Sequence, residues 1–321
     1  MPEGDTIFRA ARTLNLALAA RIVTRFTAAY PALTRIDEDA PMAGRTITSV
    51  EARGKHLLMH FGPSTSPKSG SSVSFGAGPL TLRTHMRMSG SWHVYPQTRG
   101  PLPPAGLSHS RGPRRPAPFG RDRPGERWQR PPGAARIVIE TAGYVAVAFN
   151  VPVAEFLDAS RLARQEDLRR IGPDLLGETF DEDETLARLR GRGAQPIAEA
   201  LLNQRVVAGI GNVYKSETLF LEGIHPAAPV AGVDDAALRE LLRTARRLLT
   251  ANIADASAEI ITYRGLRRTT GRSNPDERLW VYGRGGKPCR RCGTAISYAR
   301  TGPEARGTYW CPACQKISGC E

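Results

Sequence analysis

Apolar positions along the chain change period twice, and the changes mark out its architecture. Ile7, Ala10, Ala11, Leu14 and Leu18 repeat at threes and fours, the stripe of a helix that buries one face. Asp5 or Thr6 stands where such a helix would be capped. Then the period drops to two, and Arg21-Ile22-Val23-Thr24-Arg25-Phe26 predicts a strand. Residues 46–51 and 56–61 predict two more, joined through Arg53-Gly54-Lys55, and residues 80–95 and 136–149 continue the β pattern. Short strands in series with one helix point to two packed antiparallel sheets. From Pro152 the pattern turns helical: residues 153–170 lead into Ile171-Gly172-Pro173-Asp174-Leu175-Leu176, a helix stop and domain junction. Further helices are expected over 181–190, with acids in the first turn and basic residues in the last, and over 197–207, 212–222 and 234–252. The expected class is α+β. A two-layer antiparallel β-sandwich with a flanking helix fills 1–150, a helical domain 151–262, and a mobile polar connector (263–284) with a compact module completes 263–321.

Two stretches interrupt the β pattern. Residues 62–79 are rich in Ser, Gly and Pro and are expected to form a flexible loop. Residues 97–133 carry nine prolines, and eight arginines against two acids, so they lack the means to build a core. That insert is either a tolerated loop or an electrostatic arm for nucleic acid.

Composition narrows the function. Apolar residues make up 40% of the 321, enough for two domains with cores, and no apolar run approaches the ~20 needed to cross a bilayer. Glu3 and Asp5 replace the basic start of a signal peptide, which favours the cytoplasm. The net charge of +14 favours a polyanionic partner such as nucleic acid. Forty arginines against five lysines also suit a GC-rich genome, so arginine abundance by itself is not recognition.

Cys289-Arg290-Arg291-Cys292 and Cys311-Pro312-Ala313-Cys314 stand eighteen residues apart. Two such knuckles supply four thiolates for one tetrahedral zinc, closed and structural. The finger either rivets the C-terminus or presents basic residues to phosphate, with Arg306 at its tip. Cys320 is left over. In residues 203–214 two glycines, Gly209 and Gly211, separate two helices; this turn either serves packing or exposes the N–H groups of a helix starting near Asn212 to a phosphate. Met88, in Met86-Arg87-Met88-Ser89-Gly90, is either a core residue or a wedge for a base stack. Met1-Pro2-Glu3-Gly4-Asp5 gains weight in this company. With Met1 removed, Pro2 presents a secondary amine that can form an iminium with an aldehyde-level carbon, and Glu3 beside it can shuttle protons. The positive end of the first helix would help keep that amine neutral.

Taken together, these residues resemble the formamidopyrimidine-DNA glycosylase and endonuclease VIII family, through nearly the whole chain apart from the two inserts. The resemblance implies a β-sandwich, a helix–two-turns–helix domain and a zinc finger, with double-stranded DNA in the cleft and the enzyme a monomer. It implies Pro2 as the nucleophile at C1′, Glu3 as acid–base and Lys55 as a catalytic phosphate contact. Asn212, Arg306 and Arg205 are the implied backbone contacts, and Met88 the residue filling the vacated stack. The implied activity is base release followed by β- and δ-elimination, with zinc as the cofactor. Pro2-Glu3-Gly4-Asp5 is closer to the endonuclease VIII branch, which favours oxidised pyrimidines over 8-oxoguanine. Asn150-Val151-Pro152-Val153-Ala154 stands where the formamidopyrimidine branch has Asp-Pro-Arg-Arg-Phe, leaving Met86-Arg87-Met88 to carry the wedge.

Overall fold

The computed structural model describes residues 2–64, 78–97, 128–254, 267–272 and 274–316. Its N-terminal half is built on two four-stranded antiparallel sheets. One runs β1 (Val23–Ala28), β6 (Ala135–Thr141), β7 (Tyr144–Phe149), β5 (Ser91–Pro96); the other runs β2 (Ile47–Arg53), β3 (His56–Phe61), β4 (Leu80–His85), β8 (Val153–Asp158). Helix α1 (Gly4–Leu18) lies across both sheets and buries Ile7, Ala11, Leu14 and Leu18, the stripe seen in the sequence. A second helix, α2 (Pro31–Asp39), packs against β1 and β8. Between the sheets Phe26 meets Phe156 with ring centroids 5.5 Å apart.

The helical reading of residues 153–170 is corrected here. Val153–Asp158 is strand β8, paired with β4 from Leu80↔Asp158 to His85↔Val153, so this sheet runs past residue 150. Only then come two short helices, α3 (Ala159–Arg164) and α4 (Glu166–Arg169). A free edge on β4 would have been costly, and pairing overrode the weak local pattern.

Most residues of both inserts lie outside the described ones, as does Cys320. Their anchored ends are informative. Fully buried Arg45 donates to Gly62 O at 3.0 Å and Gly78 O at 2.7 Å, tying together the two ends of the first insert. Trp128, near the end of the second, packs on Phe149 and Tyr95 on the outer face of the first sheet.

The second domain gathers α5 (Glu182–Arg190), α6 (Ile197–Leu202), α7 (Asn212–Leu221) and α8 (Asp235–Ala254) around Leu189, Leu201, Ile210, Tyr214, Leu241 and Leu249. Helix α6 stops at Leu202, short of the expected residue 207, and the chain turns through 203–211. The terminal module is the hairpin β9 (Ser297–Thr301) and β10 (Arg306–Trp310) with the cysteine knuckles, packed on Phe220 of α7. Residues 267–284, expected as a mobile connector, include a packed segment. Glu217 of α7 is fully buried and accepts from the backbone N–H groups of Trp280, Val281 and Tyr282, binding that segment to the helix.

Candidate functional site

Helix α1 begins at Gly4, two residues earlier than a cap at Asp5 allows and three earlier than one at Thr6, and no side chain caps it. Both acids near its start have other partners. The Glu3 carboxylate, fully buried, accepts from the backbone N–H of Val213 at 2.8 Å and of Tyr214 at 3.3 Å. It thereby occupies the N-terminus of α7, where N–H groups have no partner inside the helix and the dipole favours negative charge. Asp5, also fully buried, is gripped by Arg267 through Nε at 3.0 Å and Nη2 at 2.9 Å. Arg267 also donates to Thr6 Oγ1 and lies 5.5 Å from the Tyr214 ring.

The first residues are thus held by the second domain. Gly4 N–H donates to Gly209 O at 2.9 Å, and a β-carbon on Gly4 would lie 2.6 Å from Gly209 Cα. Gly209 itself sits at φ +101°, a conformation glycine adopts freely. Half-buried Pro2 is therefore fixed one residue from the Glu3–α7 contact.

Lys55 stands in the β2–β3 turn, half-buried, and burial pulls its ammonium down to about 8. The Glu3 carboxylate opposes that shift and the Arg306 guanidinium adds to it, so all three share one electrostatic neighbourhood. The turn is braced from the domain junction: Asp174 Oδ2 accepts from Gly54 N–H at 3.0 Å, and Oδ1 from Leu176 N–H at 3.0 Å. Burial raises the Asp174 pKa and those two N–H donors lower it.

Asn212 opens α7 and is nearly buried; its Nδ2 donates to Gly307 O on β10 at 2.7 Å. Arg306, at the start of β10, is partly exposed and paired with Glu304 at 2.5 Å. Its Nη1 also lies 3.7 Å from Met88 Sδ. Met88 is 60% exposed at the tip of the β4–β5 turn, which excludes the core alternative, whereas Met86 is buried. The structure thus brings Pro2, Glu3, Lys55, Asn212 and Arg306 into one neighbourhood, with Met88 in contact with Arg306. Arg205 is different: it is exposed, and its backbone carbonyl accepts from Arg188 at 2.6 Å.

Cys289, Cys292, Cys311 and Cys314 bring their sulfurs within 4.8 Å of one another. Zn–S bonds of about 2.3 Å in a tetrahedron separate sulfurs by about 3.8 Å, so the four fit one zinc ion with no position left over for chemistry.

Sequence reasoning missed Asp5–Arg267, Asp174 and Lys215. The last had a signal available: it is one of only five lysines, set three residues after Asn212 on the same helix.

Three family descriptions match successive parts of the chain. The formamidopyrimidine-DNA glycosylase N-terminal domain matches residues 1–172, the formamidopyrimidine-DNA glycosylase H2TH domain residues 171–263, and a zinc finger found in FPG and IleRS residues 286–317. The chain belongs to the formamidopyrimidine-DNA glycosylase family. Over 318 residues it is 37% identical to "Probable endonuclease 8 2" of Streptomyces coelicolor, covering 98% of this chain and 94% of that protein. It is 34% identical to "DNA-(apurinic or apyrimidinic site) lyase Nei2" of Mycolicibacterium smegmatis, covering 99% and 100%. Its fold matches that of Lactococcus lactis Fpg, solved in complex with an abasic site containing DNA, with a TM-score of 0.68 at 24% identity over 98% of this chain and 100% of that one. In this chain the glycine of the Pro2-Glu3-Gly4-Asp5 opening has a physical reason: only a residue without a β-carbon fits there against Gly209.

Proposed function

We propose that this glycosylase-family chain is a bifunctional DNA glycosylase and abasic-site lyase of base-excision repair, acting on duplex DNA with oxidised bases, pyrimidines above all. The observation that carries it is the Glu3 contact with α7. That contact holds the chain start beside Asn212 and within electrostatic reach of Lys55 and Arg306, so the amine that can do the chemistry and the groups that can hold phosphate lie together. The net charge of +14 and the endonuclease 8 and lyase names of whole-length relatives support the reading.

The Pro2 nitrogen attacks C1′ of an extruded nucleotide, and the N-glycosyl bond breaks as the base leaves with a proton. Ring opening gives the iminium. Loss of a proton from C2′ then expels the 3′ phosphate, and a second elimination expels the 5′ phosphate. Glu3, the adjacent residue, is the group assigned to carry these protons. Lys55, Asn212 and Arg306 hold the phosphates on either side, and Arg205 makes an outlying backbone contact. Met88 fills the gap in the stack; flipping costs a few kcal/mol, least for a damaged base. The zinc fixes the hairpin that carries Arg306.

The test is borohydride trapping on duplexes containing an abasic site, dihydrouracil or 8-oxoguanine. We expect an adduct lost in Pro2→Gly and strongest with dihydrouracil. The name of the Mycolicibacterium smegmatis relative favours a narrower reading, lyase action alone, and trapping only on the abasic duplex would establish that instead. No adduct on any duplex would overturn the enzymatic reading.

A further inference from the structure

Lys215 lies on α7 with no exposed surface, and its three partners are all neutral oxygens. An ammonium has three protons to donate, and here each has an acceptor: Asn212 Oδ1 at 2.8 Å, Thr308 Oγ1 at 2.7 Å and Gly307 O at 3.3 Å. Burying a charge whose hydrogen-bond partners are all neutral, with the Glu3 and Glu199 carboxylates favouring it only through space, costs stability that an apolar residue of similar size would not. A role beyond packing therefore has to be sought in what those three bonds fix.

The first fixes the Asn212 amide. Lys215 can only donate, so the amide must turn its carbonyl oxygen toward it. The Nδ2 group is then directed at Gly307 O, 2.7 Å away, with the Tyr282 hydroxyl beside it as a second partner. Without the lysine, the amide would lose the constraint that decides which of its ends faces the hairpin.

The second and third fix the hairpin. Thr308 Oγ1, accepting from Lys215, also shares a hydrogen bond with Thr301 Oγ1 at 2.7 Å on the neighbouring strand. Thr301 is the register partner of Arg306. One side chain on α7 thus engages β10 beside Arg306, and β9 through Thr308, while the same side chain sets the amide that opens the helix.

We propose that Lys215 is a positioning residue for nucleic-acid binding, orienting the Asn212 amide and clamping the β9–β10 hairpin so that Asn212 and Arg306 are presented to the phosphate backbone as one unit. It rests on the DNA-binding reading above but not on the chemistry assigned to Pro2.

The experiment uses full-length, zinc-loaded protein and two duplexes, one undamaged and one with a tetrahydrofuran abasic analogue. Kd is measured for wild type, Lys215→Met, Asn212→Ala and the double variant, with active-site titration and melting. We expect Lys215→Met to weaken binding of the analogue duplex about tenfold, and to weaken it clearly less in the Asn212→Ala background, where only the hairpin clamp is left to lose. Single-turnover cleavage of an abasic duplex at saturating protein should stay within about twofold of wild type. Lys215→Gln, which can still donate to the Asn212 carbonyl, should recover part of the affinity and serves if Lys215→Met does not fold. Unchanged Kd with a reduced active fraction, or full additivity in the double variant, would overturn the proposal in favour of a purely structural lysine. A wild type that binds both duplexes equally and traps nothing refutes the enzymatic reading instead, and the cycle on the undamaged duplex still decides the role of Lys215.

Discussion

Glu3 occupies the space that a side chain on Gly211 would need: a β-carbon built there would fall 2.3 Å from both the Glu3 Cγ and Cδ atoms. Residues 208 positions apart in the chain are therefore complementary, one by having a carboxylate and the other by having nothing. Gly211→Ala should displace Glu3 from the Val213 and Tyr214 N–H groups. We expect lesion excision to fall at least about 100-fold, the scale of a misplacement near 1 Å, while zinc content stays at wild type. Single-turnover cleavage and metal analysis check this; an unchanged rate would mean the carboxylate need not sit on α7.

The Asp5–Arg267 pair should behave as a lock between the chain start and the segment after α8. Asp5 is fully buried and the Arg267 side chain only 11% exposed. Arg267→Met leaves an uncompensated buried carboxylate, so we expect a loss of about 3–5 kcal/mol in urea unfolding. Adding Asp5→Asn should recover part of it. Equal losses in the single and double variants would refute the pairing as the cause.

Binding should be unusually sensitive to mild alkali. Burial holds Lys55 at about 8 against an ordinary 10.5. Between these values the unfolded chain carries a proton that the folded chain lacks, so this lysine favours folding increasingly as pH rises. Phosphate contact needs the ammonium, so affinity runs the other way. Kd for the tetrahydrofuran duplex should rise above pH 8 by up to about tenfold per unit. Lys55→Met should reduce that slope, with Lys215, also held at about 8 by burial, supplying a remainder. An identical slope in Lys55→Met would exclude its contact with phosphate.

Chelation should separate the two halves of the molecule. The cysteine cluster packs on Phe220, Val281 and Ile296, apart from the core between the sheets. Stripping zinc should abolish binding of the analogue duplex and lower the melting of the C-terminal half, with the sandwich transition unmoved. Retained affinity in metal-free protein would show that the hairpin holds Arg306 without its metal.

Met88 should matter for opening the duplex and not for elimination. Its turn is set by His85, whose Nδ1 accepts from Arg87 N–H at 3.0 Å. Burial, helped by nearby Arg87 and Lys55, holds that imidazole down to about 4 and so neutral at physiological pH. Met88→Ala should slow release of a paired damaged base about tenfold or more yet leave cleavage at a preformed abasic site within about twofold. Equal slowing of both would remove the wedge role.

How much of this was legible beforehand depends on how far apart the partners stand. The α1 stripe, most strands of the two sheets, α5, α7 and α8, the two-glycine turn and the cysteine knuckles were all visible, because each is a pattern within a few residues of itself. Strand β8 was not: its pairing with β4 outweighed a short, ambiguous apolar run. The chemistry-bearing residues were legible as types. Pro2, Glu3, Lys55, Asn212 and Arg306 could be named, and Met88 only as one of two alternatives.

What they do to one another was not in any stretch of sequence. Periodicity, turn chemistry and metal-ligand spacing are local constraints, and they determined the elements, the α+β class and the zinc. The Glu3 bond to α7, the Asp5–Arg267 pair, the Asp174 brace under Lys55 and the Lys215 clamp join groups 92 to 262 positions apart, or depend on such joins. Only the closed structure decides these. Burial gives a carboxylate or an ammonium its need for a partner, and which partner arrives is fixed by how the two domains pack.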